Sequence, residues 1–408
     1  MSTQEKKGLF ARLIAYMIAN KPDLLFKILR TIKPNLVPPG DGPVFITRFR
    51  DVQEALSRPE VFRVTYRPMM DPSVGPFMLG YDGSVYNQRD KGIMRSLIRK
   101  EDMQRVKEIV SRLAQEAVDA AAKKGEMEVV SELSRMVPVL LTCEYFGFPG
   151  PDTPTMFRWS RATQYDMFHN IERDEAIHQD NIKAGQEMQR YLKDVLIPRR
   201  REELRENPEQ DDVLSRLLKS SFPDAVGFDE QRIVSNTIGT LVGGIETTSQ
   251  AIVQILDQLF KRPEIFREAV QAARDDNDDL LLSYCWEALR FNPINPFVVR
   301  QCAQEYTIAA GSFRSAKIPK GRLVLVCTRS AMRDGRELCC PGDFVIDRPD
   351  YHYMHMGYGS HTCLGDQVSR VQVPQIVKRL LLRPNLHPKG DIDFKGGPFP
   401  EKYVVAFD

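Results

Sequence analysis

The stretch Met356-Gly357-Tyr358-Gly359-Ser360-His361-Thr362-Cys363-Leu364-Gly365 sets one cysteine among three glycines, just ahead of a helical pattern over Asp366 to Leu382. Glycine tolerates positive φ and lets backbone approach closely. Amides near a helix N-terminus can hydrogen-bond a sulfur anion and lower its pKa. A thiolate held in this way is a soft ligand that suits iron. Two plainer readings stay open on these residues alone. His352, His355, His361 and Cys363 cluster with Cys339 and Cys340 as zinc ligands do, although there is no CxxC pair and zinc needs no glycine loop. A buried structural cysteine is the other.

Working upstream, Asp229 is a helix N-cap and Pro263 a stop, which predicts one helix to about Arg262. At ~1.5 Å per residue it is about 50 Å long. Its apolar residues (Ile233, Ile238, Leu241, Val242, Ile245, Ile252, Ile255, Leu256, Leu259) go most of the way round, the mark of a buried helix. Yet its middle reads Gly243-Gly244-Ile245-Glu246-Thr247-Thr248. Each glycine costs roughly 1 kcal/mol in a helix interior. A buried glutamate costs more unless it is paired or protonated. Violations of this kind mark functional sites. The glycines admit something large beside the helix, and an acid and a hydroxyl next to it can handle protons.

A third motif, Glu287-Ala288-Leu289-Arg290, puts opposite charges three apart on one helix face. Tyr284, Trp286 and Leu289 around it predict a buried structural pair. Elsewhere, Pro43 to Arg48 reads as a strand and Asp51 as a helix start. Residues 100–125 and 172–206 read as helices, and Asp211-Asp212 starts another. Short strand-like runs fill 307–327. The expected class is mainly α with small β-sheets (α+β), in one domain over 1–408.

The bulk numbers exclude several classes. The chain has 408 residues, 42% hydrophobic and 27% charged, with a formal net charge of +2. That balance argues against bulk nucleic-acid binding. Seven cysteines, at 143, 285, 302, 327, 339, 340 and 363, are odd in number and scattered, which predicts a reduced, cytoplasmic protein. The apolar run Gly8 to Ala19, broken by Arg12, is too short for a transmembrane span. Residues 1–35 are expected to form an amphipathic N-terminal extension packed on the body, with weak membrane-surface contact the lesser reading.

Together these residues resemble the cytochrome P-450 superfamily, in its soluble bacterial form, over nearly the whole chain from about residue 40. The resemblance implies haem b (iron protoporphyrin IX) between the long central helix and the cysteine loop. Cys363 would be the thiolate ligand, in a loop shaped by Gly357, Gly359 and Gly365. Gly243 would open the oxygen side, with Thr247 as hydrogen-bond donor to oxygen and Glu246 in the proton relay. His361, Arg300, Lys91 and Arg95 match positions on the haem propionates. Glu287 and Arg290 match a structural motif completed by Arg348 in the meander, Ser330 to Pro349. The sequence departs from the pattern at Met356, where phenylalanine is usual, at Lys91, where histidine is usual, and at Gln372, where glutamate is usual.

The activity implied is monooxygenation: one oxygen atom from O2 enters a small or medium apolar substrate. A ferredoxin-type donor with its reductase would supply electrons, docking on a basic face with Arg89, Lys91, Arg99 and Lys100. Ile238, Leu241 and Val242 are expected to wall the substrate pocket. Asn295, Phe297, Val298, Val74, Phe77, Met78 and Leu79 are expected there too, with Asn295 as the orienting polar group. A haem-thiolate peroxygenase or isomerase needing no reductase is the alternative, although such relatives generally lose the acid–alcohol pair. A non-enzymatic haem sensor is the second alternative and would need neither Glu246 nor Thr247.

Overall fold

A computed structural model describes residues 16–18, 21–83 and 85–408. The expected first helix at Gly8 to Ala19 lies almost wholly outside the described residues. The chain divides into two compact units, Met1–Thr65 with Arg290–Thr362, and Tyr66–Leu289 with Cys363–Asp408.

The first unit is built on a five-stranded sheet in the order Asn35–Leu36, Val44–Ile46, Leu323–Val326, Val298–Cys302, Phe62–Arg63. Its pairings are antiparallel except Val44–Ile46 with Leu323–Val326, where Phe45 faces Leu325 in parallel register. Successive strand side chains point to opposite faces, and this sheet buries both. Val44, Ile46, Val324, Val326 and Phe62 pack with Phe49, Val52 and Leu56 of the helix Phe49–Leu56. Phe45 and Leu325 pack with Leu25, Phe26 and Leu29 of the helix Pro22–Ile32. Burying Phe26 alone is worth about 2 kcal/mol. The Pro22–Ile32 helix is also pinned by Asp23, which pairs with Arg329 and Arg333. Its outer stripe, Leu24, Ile28 and Ile32, stays exposed. The strand expected over Pro43 to Arg48 is only Val44–Ile46, and the helix after it starts at Phe49, ahead of Asp51.

The second unit is helical. Met103–Ala122 buries Val106, Val110, Leu113, Val118 and Ala121 at helical spacing and packs along the helix Asp366–Leu381. The stretch expected as one polar helix divides into Glu175–Tyr191 and Ile197–Glu206, joined by a π-helical turn over Leu192–Leu196. Asp229 caps the central helix, its carboxylate accepting from the Arg232 N–H at 2.9 Å. That helix is not continuous, contrary to expectation. It runs Glu230–Gly244, breaks at Ile245 (φ −90°, ψ −68°), and resumes as Glu246–Phe260. The paired glycines lower helix propensity where it breaks. A small sheet of Glu126–Glu128, Val404–Ala406 and His387–Pro388 closes this unit. Among the described residues no helix is long and apolar enough to cross a membrane.

Candidate active site

The cysteine loop is held by two glycines at which any side chain would be strained. Gly357 has φ +78°, and a Cβ there would sit 2.9 Å from the His361 carbonyl oxygen. Gly359 has φ +70°, and its Cβ would sit 2.7 Å from the Leu56 carbonyl oxygen. From Gly359 the chain makes a short 3-10 turn, Gly359–His361, closed by Thr362 donating through Oγ1 to the Gly359 carbonyl at 2.8 Å. His361 is half-buried on that turn, and Met356 is half-buried before it.

Cys363 is half-buried and not in a disulfide. Burial pushes its thiol up. The Gly365 N–H bonded to the sulfur, Lys91 and Arg95 oppose this, and Asp366 adds to it. The net direction is upward, so the expected lowering by helix-terminal amides does not prevail. Desolvation of the charged sulfur outweighs the single amide and the two cations. Lys91 and Arg95 lie four apart on the helix Asp90–Leu97. Lys91 is buried and is driven down to about 8 by desolvation and then by Arg95, with Cys363 opposing. Both cations are thus close enough for their charge to act on the sulfur.

The central helix changes character within one turn. At Gly239 an added Cβ would lie 2.1 Å from Cε2 of Phe77, so that ring fills the space a side chain there would take. At Gly243 and Gly244 an added Cβ would meet nothing within 4 Å. Leu241, Val242, Ile245 and Glu246 around them are all at most 2% exposed. The helix therefore opens onto space at the glycines. The Thr247 hydroxyl donates to the Gly243 carbonyl at 2.5 Å across this opening, a back-bond that bends helices.

Glu246 points elsewhere, into a clamp. Its Oε1 accepts from Arg135 Nε at 3.0 Å and Nη2 at 2.6 Å, and its Oε2 from Arg161 Nε at 3.1 Å and Nη2 at 2.9 Å. Arg161 also pairs with Glu401 and stacks over Phe399 at 4.2 Å. The sequence required a partner for this acid but did not name one. Arg135 and Arg161 lie 111 and 85 residues away and no local pattern marks them.

Beside this clamp lie three rings. Phe399 meets His169 at 4.7 Å and Tyr165 at 5.7 Å. His169 Nε2 is buried without a hydrogen-bond partner, and desolvation followed by Arg161 lowers its pKa to about 4. Gln164, on the same helix as Tyr165, is fully buried with neither amide atom partnered.

In the first unit, Arg300 is 5% exposed and donates to the neighbouring Val299 carbonyl at 2.8 Å. No carboxylate among the described residues lies within ion-pair distance of it. Such a buried guanidinium suits an anionic group. Glu287 and Arg290 are fully buried. Arg290 donates to the carbonyls of Met332, Pro341 and Asp343 at 2.9–3.0 Å. Arg348 donates to those of Cys339 and Cys340 at 2.8 and 3.0 Å.

The expected pocket residues fall in different places. Ile238, Leu241, Val242, Val74, Phe77 and Met78 are buried in the second unit, and Leu79 is half-buried there. Asn295, Phe297 and Val298 are half-buried in the first. Strand alternation sends Phe297 and Val299 to the Leu25–Phe26 cluster and Val298 to the opposite face. The expected basic face is smaller than the sequence suggested. Arg89 is tied to Asp90 and to the Val226 carbonyl, and Lys91 is buried. Of that face Arg99 and Lys100 remain exposed. Among the described residues no three metal-ligating side chains converge, so the histidines and cysteines around Cys363 do not assemble as zinc ligands.

The cytochrome P-450 family profile matches residues 93–396. The chain belongs to the cytochrome P-450 family. It is 27% identical over 351 residues to the mycinamicin IV hydroxylase/epoxidase of Micromonospora griseorubida, covering 85% of this chain and 83% of that one. It is 26% identical over 376 residues to a steroid C26-monooxygenase of Mycolicibacterium smegmatis, covering 90% and 88%. Among solved structures, that of CalO2 aligns with a TM-score of 0.81 at 21% identity, over 96% of this chain and 97% of that one. CYP109E1 from Bacillus megaterium, in complex with testosterone, aligns at 0.80 and 22% identity, over 95% and 98%. At these identities the structures establish the fold, mainly helical with small sheets. The relatives of this P-450 are bacterial monooxygenases and hydroxylases.

Proposed function

We propose that this P-450 is a haem-thiolate monooxygenase that inserts one atom of O2 into an apolar organic substrate, using electrons from a ferredoxin-type donor and its reductase. The observation that carries the reading is the opening at Gly243–Gly244 with the Thr247 hydroxyl beside it. Three features suit a bound haem b: Cys363 outside any disulfide, the open helix turn, and the buried guanidinium of Arg300. When bound, the haem supplies the oxygen reduction and the C–H oxidation.

The remaining work belongs to side chains. Cys363 offers its sulfur, and the Gly365 N–H stabilises the anion. Lys91 and Arg95 supply positive charge suited to propionates, with Arg300 and His361 as the matching candidates of the first unit. Ile238, Leu241, Val242 and Phe77 are the apolar side chains proposed to exclude water. Thr247 holds a proton at Oγ1. It can donate that proton outward only by releasing the Gly243 carbonyl. Glu246 can carry a proton only by letting one of its arginines go. Arg135 and Arg161 thus restrain the relay until solvent or substrate displaces them.

The acid and alcohol together favour the reductase-dependent reaction over a peroxygenase or an isomerase, relatives that generally lose the pair, and over a sensor, which needs neither residue. The test is Thr247→Ala assayed with a surrogate ferredoxin and reductase. The share of electrons recovered in product should fall several-fold, with peroxide released instead. Unchanged coupling would reject the reading.

A further inference from the structure

Cys339 and Cys340 are the two exposed cysteines of the chain. Their sulfurs lie 3.3 Å apart. Neighbouring side chains in extended backbone point to opposite sides. Here Cys340 adopts φ +47°, the left-handed region that non-glycine residues seldom enter, and both thiols come to the same side. The sulfur of Cys339 pushes the Cys340 thiol up through their contact. The backbone beneath is anchored. Arg348 holds both cysteine carbonyls, and the Asp343 N–H donates to the Cys340 carbonyl at 3.0 Å. Arg290 holds the carbonyls of Pro341 and Asp343 on the same turn.

We propose that Cys339 and Cys340 are a redox modification site, closing to a reversible vicinal disulfide that loosens the turn held by Arg348. The oxidant is a low-molecular-weight disulfide, RSSR. One cysteine thiolate attacks it, forming a mixed disulfide and releasing RS⁻. The second thiolate then displaces the other RS⁻. Two protein thiols and RSSR become one protein disulfide and two RSH, with two electrons passing to the oxidant. The sulfurs must close to ~2.05 Å. Consecutive Cα atoms are ~3.8 Å apart, short of the usual ~4.4–6.8 Å span, so the ring closes under strain and excess thiol reopens it. The ring contains the Cys339–Cys340 peptide group. Its carbonyl is the one Arg348 Nη1 holds, so closure must turn that acceptor. This site stands apart from the proposed oxidation chemistry and its test needs no turnover.

The experiment treats the full-length holoenzyme with oxidised glutathione, then alkylates, maps peptides and measures amide hydrogen exchange. The expected result is loss of both alkylatable thiols at 339 and 340, without a dimer and without retained glutathione, reversed by dithiothreitol. Exchange at Asp343 should rise several-fold in the oxidised form. Cys339→Ser should retain glutathione on Cys340 instead. Two thiols still free, a stable adduct on the native pair, or an intermolecular dimer would overturn the disulfide. Unchanged exchange at Asp343 would overturn its coupling to the turn.

Discussion

One helical turn separates Gly239 from Gly243, and the two glycines exist for opposite reasons. At Gly239 the missing side chain makes room for Phe77, which fills the space at once. At Gly243 the missing side chain leaves room that no protein atom takes. Both carry the same propensity cost, roughly 1 kcal/mol relative to alanine. What differs is the return: at one site packing within the protein, at the other space for something else. The polar groups divide in the same way. Glu246 is satisfied by protein, while Thr247 lies at the edge of the opening.

The contrast can be broken at four points. The largest effect is expected at Glu246→Ala, which leaves Arg135 and Arg161 without their shared anion. Removing one side of a buried ion pair costs about 3–5 kcal/mol. The lower end applies, because the arginines keep 15% and 21% side-chain exposure and Arg161 keeps Glu401. Urea unfolding should report the loss. Next, Gly239→Ala forces a methyl into the Phe77 ring, an overpacking worth about 1–3 kcal/mol. Phe77→Ala in the same chain should recover part of it. If Gly239→Ala proves neutral, the two glycines are not different in kind.

His169 tests the polar neighbourhood through pH. Burial and then Arg161 hold its pKa down at about 4 in the folded protein, against the ordinary histidine value of 6.5. Above 6.5 neither state holds the extra proton. As pH falls, the unfolded chain takes it first, so stability is lost between about 6.5 and 4 and levels off below. Discounted for partial exposure, the effect is roughly 1–2 kcal/mol. Stability against pH for His169→Phe should lack this slope relative to the native chain. The smallest effect on folding is expected at Gly243→Ala. The haem-free protein should gain up to about 1 kcal/mol from helix propensity. Haem retention should fall, read as the rate of transfer to apomyoglobin. A gain in stability with retention unchanged would mean that the space beside Gly243 holds nothing.

Several features were legible before the fold was known. Asp212 and Asp229 cap helices as their positions suggested, accepting from Ser215 and Arg232. Pro263 ends the central helix and starts the next. Glu287 and Arg290 are buried, as their apolar neighbours implied. Other features could not be read. The break at Ile245 depends on how the bent helix packs. Phe297 and Val298 look alike in sequence but face opposite sides of the sheet, and register decides which cluster each joins.

What the sequence determined by itself was therefore local chemistry. It placed a cysteine in a glycine loop and an acid and alcohol beside glycines in an otherwise apolar helix. Caps, breakers and φ preferences act within a few residues, so a linear reading finds them. The tertiary structure decided who answers whom. It brought Arg135 and Arg161 to Glu246, and set burial against one amide and two cations at the Cys363 sulfur. It also filled Gly239 while leaving Gly243 open. Desolvation and ion pairing depend on what packs nearby in space, and those neighbours come from segments that no spacing rule connects.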